Sequence, residues 1–208
     1  MKIMIMKTVK DFFEERAIEF LRDYRYAYGA KESTGILTTE KLNQLAANSP
    51  DQYTDDYKSM TAKNIGWKVI DCSGLVCSLL GVANMGSSQL AELPHNNPDF
   101  SYITGGYKWG DIFWKKGHVG IYIGNDRILE AKSVAKGVVI SGILENNWKK
   151  VIRFNPWHLY KNIGWCQDGN RWWYTIGESR GDFYRNCTVE IDGKMYSFDN
   201  DGYLKGDK

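Results

Sequence analysis

The 208-residue sequence predicts an α+β fold, because helical patterns dominate its first half and short strands follow in its second. Apolar side chains recur on one helical face between 11 and 24, and again from Cys72 to Leu80. Between 107 and 143 the pattern changes to short β-type runs separated by Gly, Asn and Asp. Helices followed by an antiparallel meander are typical of this fold class.

The helical patterns have identifiable ends. The first ends before Gly29 and the second before Gly81, because glycine readily adopts the backbone conformation that terminates a helix. The polar segment 31–68 lies between them and contains several turn-forming residues. It predicts a surface insertion with one short helix at 40–47.

The β-type runs predict strands at 111–114, 118–124, 127–131 and 137–143. A three-residue loop at 124–126 would pair Gly120 with Glu130. Glu130 would then share a face with His118, one diagonal step away, and could orient the imidazole ring by hydrogen bonding. A two-residue turn would instead place Glu130 on the opposite face.

The composition changes near 155. Residues 164–208 contain nine aromatic residues in 45 positions, and the RWW of 171–173 is echoed 23 residues later by the KMY of 194–196. Such an echo indicates a small repeat. We therefore expect a larger domain over 1–157, a linker over 158–163 and a β-hairpin repeat module over 164–208.

The charge balance excludes some partners. With 27 Lys and Arg against 25 Asp and Glu, the net charge of +2 gives no reason to expect nucleic acid or an anionic membrane. The N-terminal segment reaches charged residues too early for a secretory signal, and no apolar run is long enough to span a bilayer. We therefore expect a protein made and folded in the cytoplasm, with its cysteines as thiols.

Cys72 is the candidate nucleophile. It begins a predicted helix, where the helix dipole and a neighbouring imidazole can lower a thiol pKa from about 8.5. Asp71 before it is a possible helix cap, and the small residues Ser73 and Gly74 leave the sulfur open to a substrate. A cysteine taken alone is more often a small buried apolar residue, which is the interpretation for Cys77.

Three histidines are candidates for a general base. His95 lies in the Pro-rich loop LPHNNPD, and His158 follows Pro156 near the domain boundary. Neither is expected to be held rigidly. His118 opens the strand HVGIYIG and is therefore the favoured base.

The segments DCSGLV, WGDIFW and HVGIYIGNDRILEA, in that order, resemble the papain-like NlpC/P60 peptidases. The resemblance implies that Cys72 is the nucleophile, that His118 is the base and that Glu130 orients the base. The family usually has His at this third position, and a carboxylate there would stabilise the imidazolium. The alternative for Glu130 is a solvent-facing strand residue.

The resemblance extends to substrate and reaction. YAYG at 26–29 matches a family block whose tyrosine lines the substrate pocket, which implies that role for Tyr26. Asp71 and Ser73 match positions that bind the free amine and polar groups of a peptidoglycan stem peptide. The implied reaction is hydrolysis of the bond between γ-D-glutamate and the following diamino acid, without a metal or cofactor.

The aromatic tail resembles the choline-binding type of cell-wall repeat. Aromatic cages hold quaternary ammonium groups through cation–π attraction, so the ligand is expected to be choline or another component of a wall polymer. The expected ligand residues are Trp165, Trp172, Trp173 and Tyr196. The alternative is that these aromatic residues form the core of the module.

Together these features favour a phage or prophage endolysin that is made in the cytoplasm and acts on the bacterial cell wall after release. Two alternatives stay open. An amidase that cuts between sugar and peptide could use the same fold, and a wall-binding protein could carry an inactive peptidase site.

Overall fold

The computed structural model describes residues 9–154, 164–168, 170–176 and 183–206. The chain divides into two compact units, one comprising Phe13–Asn155 and the other Met1–Phe12 together with Pro156–Lys208. The expected linker at 158–163, including His158, lies outside the described residues. None of the helices within the described ranges has the length and apolar character that a membrane span requires.

The α+β class is confirmed. The helices are α1 Val9–Asp23, α2 Thr39–Asn48, α3 Asp55–Ala62, α4 Cys72–Leu80 and α5 Ser87–Asn96. The sequence predicted α1, α2 and α4. Phe13, Ala17 and Phe20 of α1 are buried at helical spacing, as the apolar pattern indicated.

The segment 31–68 contains more structure than the predicted single helix. Thr38 and Thr54 cap α2 and α3 by accepting backbone N–H groups with their side chains. Leu37, Leu42 and Tyr53 are buried in one cluster, packed with apolar residues that flank the segment. The sequence pattern missed α3 because the helix is short and mainly polar, so its helical period is weakly marked.

Two short strands join the two ends of the 31–68 segment, and this strand pair is called the base of the segment. β1 Tyr24–Tyr26 pairs in parallel with β2 Lys68–Ile70. The backbone N–H of Asp71 donates to the carbonyl of Ala30 at 2.8 Å, just beyond the strand pair. The two ends of the segment therefore meet immediately before the helix that begins with Cys72.

The main sheet has six antiparallel strands in the order β3-β8-β4-β5-β6-β7. Their bounds are β3 Phe100–Ile103, β4 Ile112–Lys115, β5 His118–Tyr122, β6 Arg127–Ser133, β7 Gly137–Gly142 and β8 Lys150–Phe154. The predicted meander, β4 to β7, is confirmed. β3 and β8, which the sequence analysis did not identify, extend the sheet beyond β4.

Helix α5 corrects the expectation of a Pro-rich loop at 93–99. Pro94 lies inside the helix, and His95 is in its last turn. Proline removes one backbone hydrogen bond and usually disfavours a helix. Here it falls near the C-terminal end of α5, so most of the helical hydrogen bonds precede it.

Gly74 allows the first turn of α4 to lie close to the backbone at Ala30. A Cβ atom at this position would lie 2.8 Å from the carbonyl oxygen of Ala30. Only glycine avoids this clash without moving the helix. The close approach places the N-terminus of α4, and with it Cys72, against the base of the 31–68 segment.

The C-terminal residues form two antiparallel hairpins. β9 Gly164–Asp168 pairs with β10 Arg171–Thr175, and β11 Cys187–Ile191 pairs with β12 Lys194–Phe198. The second turn contains Asp192 and Gly193, both with positive φ, as a type I′ turn requires. The hairpins agree with the expected elements, while their identity as a cell-wall repeat module stays a prediction.

Candidate active site

Cys72 is the first residue of α4, and Asp71 caps that helix by accepting the backbone N–H of Gly74 at 2.5 Å. Helix α4 packs against β5 and β6. The backbone N–H of Val119 interacts with the sulfur of Cys72. Because His118 directly precedes Val119, the fold brings the expected nucleophile and base to the same end of the α4–β5 contact.

The thiol itself is in an unfavourable place for a permanent charge. Burial, together with the negative charge of Asp71, raises the pKa of Cys72 to about 11. The N–H groups of Val119 and Ser73 and the ammonium of Lys31 offset only part of that rise. The lowered pKa expected from the helix terminus is therefore wrong for the free protein, because desolvation penalises the thiolate.

The hairpin between β5 and β6 has the three-residue loop at 124–126 on which the position of Glu130 depended. Glu130 consequently reaches the face of His118, and its Oε2 lies 2.5 Å from His118 Nε2. Gly120 leaves the space for this contact, since a Cβ atom there would lie 3.3 Å from the Cβ of Glu130. The imidazole is thus held through one ring nitrogen.

Glu130 has no exposed side-chain surface, and both carboxylate oxygens are bound. Oε1 accepts hydrogen bonds from Ser141 and, at 3.1 Å, from Asn146, and it pairs with Lys132 at 3.1 Å. Burial alone would raise the pKa of Glu130, but the hydrogen bonds from His118 and Ser141 lower it to about 2. Glu130 is therefore ionised, and the solvent-facing alternative is wrong.

The connection from β7 to β8 supplies two residues that the sequence analysis missed. Trp148 stacks on His118, with ring centroids 5.8 Å apart and an interplanar angle of 17°. It also packs edge-on against Phe113 at 6.0 Å. Asn146, two residues earlier, bonds Glu130. The segment has no helical or strand period, so no sequence signal pointed to it beyond the tryptophan itself.

Tyr26 lies at the end of β1 with 8% of its surface exposed. Burial raises the pKa of its phenol, and the nearby Cys72 raises it further, so the phenol stays neutral. Tyr26 also shares a hydrogen bond with Tyr57 of α3. The tyrosine therefore lies near the nucleophile, and its role as a pocket residue stays a prediction.

Asp71 and Ser73 flank the nucleophile and are both buried. The Ser73 hydroxyl donates to Asp71 Oδ1 at 2.9 Å. The ammonium of Lys31 reaches the same two residues, at 3.0 Å from each Asp71 oxygen and 2.7 Å from Ser73 Oγ. The structure thus brings the two expected substrate-binding residues together and adds a cation from the start of the 31–68 segment.

An open cavity of about 870 Å³ lies next to the His118 and Glu130 network. Its lining includes Trp148 and Asn146 as well as Tyr102 and Tyr107. The size is within the range of small-molecule sites. Because Trp148 and Asn146 also contact His118 and Glu130, the cavity shares a wall with the residues that position the base.

The four expected ligand residues of the C-terminal hairpins have different environments. Trp165 and Tyr196 pack against the buried cluster of this unit, with ring centroids 4.6 Å apart, and Trp172 lies edge-on to Trp165 at 6.4 Å. Trp173 instead lines a cavity of about 140 Å³. The remaining lining residues of that cavity are Phe183, Asp201 and Tyr203.

The other cysteines do not join the candidate site. Cys77 is buried and its thiol contacts the carbonyl of Met85, as expected of a structural residue. Cys166 and Cys187 belong to the hairpins and are free thiols. Across the described residues, His, Cys, Asp and Glu side chains do not gather in a group of three or more suited to a metal ion.

Comparison with known proteins gives one family. The NlpC/P60 family matches residues 9–154, which is more than half of the chain. No protein with a curated description matches the sequence significantly.

Two solved structures resemble the larger part of the chain. One is NlpC2 from Trichomonas vaginalis, with 13% identity and a TM-score of 0.41, over 70% of this chain and 45% of that one. The other is the peptidoglycan hydrolase RipB from Mycobacterium tuberculosis, with 22% identity and a TM-score of 0.44, over 70% of this chain and 64% of that one. The chain therefore spans less than two thirds of the length of either protein.

Proposed function

The chain belongs to the NlpC/P60 family, and we propose that it is a cysteine peptidase that cleaves the stem peptide of peptidoglycan. The observation that carries the proposal is the arrangement of Cys72, His118 and Glu130. The thiol lies at a helix N-terminus next to the strand that begins with His118, and the His118 ring is bound to an ionised, fully buried carboxylate. A nucleophile next to a base, with the base held by an orienting carboxylate, supports acyl transfer.

Catalysis begins with the proton of Cys72, which stays on sulfur in the free protein. Glu130 occupies Nε2 of His118, so Nδ1 is the nitrogen that takes this proton when the substrate carbonyl is in place. The sulfur then attacks the carbonyl carbon. The resulting oxyanion is stabilised by the backbone N–H of Cys72 and the positive end of the α4 dipole.

Collapse of the tetrahedral intermediate breaks the C–N bond. His118 gives its proton to the leaving amine, and a thioester joins the acyl group to Cys72. Water then attacks the thioester while His118 takes one of its protons, and the thiol leaves with that proton. Glu130 stabilises the imidazolium in both halves of the reaction.

The scissile bond that we propose is the one between γ-D-glutamate and the following diamino acid. The support is the family membership together with Tyr26, Asp71 and Ser73, which are neighbours of Cys72 and match the family positions expected to contact substrate. Cleavage between muramic acid and L-alanine would instead make the protein an amidase.

We further propose that the C-terminal hairpins bind a cationic group of a wall polymer. Trp173, Phe183 and Tyr203 line one small cavity together with Asp201. Aromatic faces and a carboxylate both attract a quaternary or primary ammonium. Trp173 is therefore the strongest of the expected ligand residues, whereas Trp165 and Tyr196 pack into the core of the unit.

A peptidase unit joined to such hairpins supports the role of a phage or prophage endolysin, which would reach the wall after release from the cytoplasm. Its activity would be seen as lysis of whole cells treated from outside. Changing Trp173 to Ala should then weaken binding to cell walls while cleavage of a soluble stem peptide continues.

The test is digestion of purified walls with the wild type, Cys72→Ala and the matched control Cys77→Ala. New termini are identified by mass spectrometry. We expect the wild type and Cys77→Ala to release γ-D-glutamyl carboxylates and diamino acid amines, and Cys72→Ala to release neither. New L-alanine amines would establish the amidase, and identical release by wild type and Cys72→Ala, or none by either, would reject catalysis by Cys72.

A further inference from the structure

Lys31 places a positive charge beside the candidate nucleophile. It directly precedes the short 3-10 helix Glu32–Thr34 and reaches back to the residues on either side of the nucleophile. Its Nζ lies 3.0 Å from Asp71 Oδ1, 3.0 Å from Asp71 Oδ2 and 2.7 Å from Ser73 Oγ. An ammonium group has three N–H donors, so three acceptors satisfy it completely.

These three oxygens have the geometry of an ammonium site, and the chain fills it with its own side chain. The Asp71 side chain is 9% exposed and that of Lys31 21%, so the pair is largely removed from water. Asp71 also accepts hydrogen bonds from Ser73 and Gly74. A second ammonium would therefore have to displace Lys31 from all three oxygens before it could bind there.

The position of this site matters because Asp71 and Ser73 directly flank Cys72. The carbonyl of a substrate must reach the sulfur, and the acyl group attached to it in the proposed reaction is only L-Ala-γ-D-Glu, so the N-terminal amine lies within about one dipeptide length of both residues. A free amine that reached Asp71 would meet a carboxylate already neutralised by Lys31. It would also be repelled by the Lys31 charge itself.

We propose that Lys31 makes the site selective for stem peptides whose N-terminal amine is acylated over the same peptides with a free amine. An acylated amine carries no charge and needs no carboxylate. A stem peptide has this form while it is still joined to the glycan strand, whereas peptides already released from the strand carry a free amine. The inference rests on the proposed peptidase function and defines which form of the stem peptide the same site takes.

The experiment uses two synthetic peptides, L-Ala-γ-D-Glu-L-Lys and its Nα-acetylated form. The value of kcat/KM is measured for both with the wild type, Lys31→Met, Lys31→Arg and the matched control Lys63→Met. Lys63 is an exposed lysine of the same 31–68 segment. The readout is the ratio of the two kcat/KM values. Lys31 also influences the thiol of Cys72, so the loss of Lys31 changes the cleavage of both peptides, and the ratio removes that common effect.

We expect the wild type to prefer the acetylated peptide by about tenfold or more, the scale of one charged hydrogen bond. Lys31→Met should remove or reverse this preference through KM of the free-amine peptide. Lys31→Arg and Lys63→Met should keep it. The inference is overturned if the wild type cleaves the free-amine peptide as well as the acetylated one, or if Lys31→Met leaves the ratio unchanged.

A binding measurement separates failure of the inference from failure of the proposed function. Calorimetry with Cys72→Ala, with and without Lys31→Met, reports the affinity for both peptides without catalysis. Tighter binding of the acetylated peptide that depends on Lys31 supports the inference even if no cleavage is seen with the wild type. Equal affinities, or binding of neither peptide, overturn it, and Lys31→Gln replaces Lys31→Met if the latter does not fold.

Discussion

The two sides of the candidate active site use opposite surroundings for their ionisable groups. On the imidazole side, Glu130 is buried but receives enough hydrogen bonds to lower its pKa to about 2. On the thiol side, Cys72 is buried with less compensation, and its pKa rises to about 11. The difference indicates that the base is positioned by its hydrogen bonds, whereas burial of Cys72 disfavours its thiolate.

Removal of His118 should have the largest effect, because it takes away the proposed base. In His118→Ala we expect kcat/KM to fall by about 10³-fold or more, because the proposed acceptor of the thiol proton is lost. Alkylation of Cys72 by iodoacetamide should keep the same pH profile in both proteins, with no plateau below about pH 9. A plateau near pH 6 in the wild type that His118→Ala abolishes would show a preformed thiolate–imidazolium pair instead.

A smaller effect is expected at the orienting carboxylate. Glu130→Gln keeps the shape of the side chain but loses the charge that stabilises the imidazolium, so kcat should fall by about 10²-fold. Ser141→Ala removes one of the bonds to Oε1 and should cost less than tenfold. Steady-state kinetics on the acetylated peptide measures both. Equal activity of Glu130→Gln and the wild type would show that the carboxylate has no orienting role.

Gly120 leaves the space that Glu130 needs on the face of His118. In Gly120→Ala the new Cβ would lie 2.4 Å from Ile128 Cγ2, so the free energy of unfolding should fall by about 2 kcal/mol. Gly105→Ala is the matched control, because a Cβ atom there meets nothing within 4 Å. Chemical denaturation measures both variants. Similar stabilities would mean that the β5–β6 contact adjusts without cost.

The smallest effect is a pH dependence of stability. The folded pKa of Glu130, about 2, lies below its unfolded value of about 4.3, so its contribution is fully present above about pH 4.5. That contribution, on the order of 2 kcal/mol, is lost as the pH falls through 2. Glu130→Gln should lack this loss. Parallel denaturation curves of wild type and Glu130→Gln between pH 4.5 and 2 would contradict the lowered pKa.

The sequence predicted the residues that follow from local patterns. Cys72 at a helix start and the β4 to β7 meander could be read from periodicity, and the position of Glu130 followed from one loop length. The contacts of Lys31, Asn146 and Trp148 could not. They join segments that are distant along the chain or lack a repeating pattern, and their pairing depends on how the finished fold brings backbones together.

The pKa of Cys72 is a second property that could not be predicted from the sequence alone. A helix terminus is visible in the sequence, and it favours the thiolate. The degree of burial is a property of the packed structure, and here it favours the thiol more strongly. The direction of the shift therefore depended on a quantity that the local sequence does not contain.

The base of the 31–68 segment makes the rest of that segment exchangeable. The β1–β2 pair and the bond from Asp71 to Ala30 hold both ends of the segment together just before Cys72. The entropy of closing a loop changes only slowly with its length. The base is therefore a suitable junction for grafting. Segments of other lengths can be exchanged beyond it to alter substrate range, provided that they retain Lys31 and cover the buried flanking residues Ala27, Ala30 and Val69.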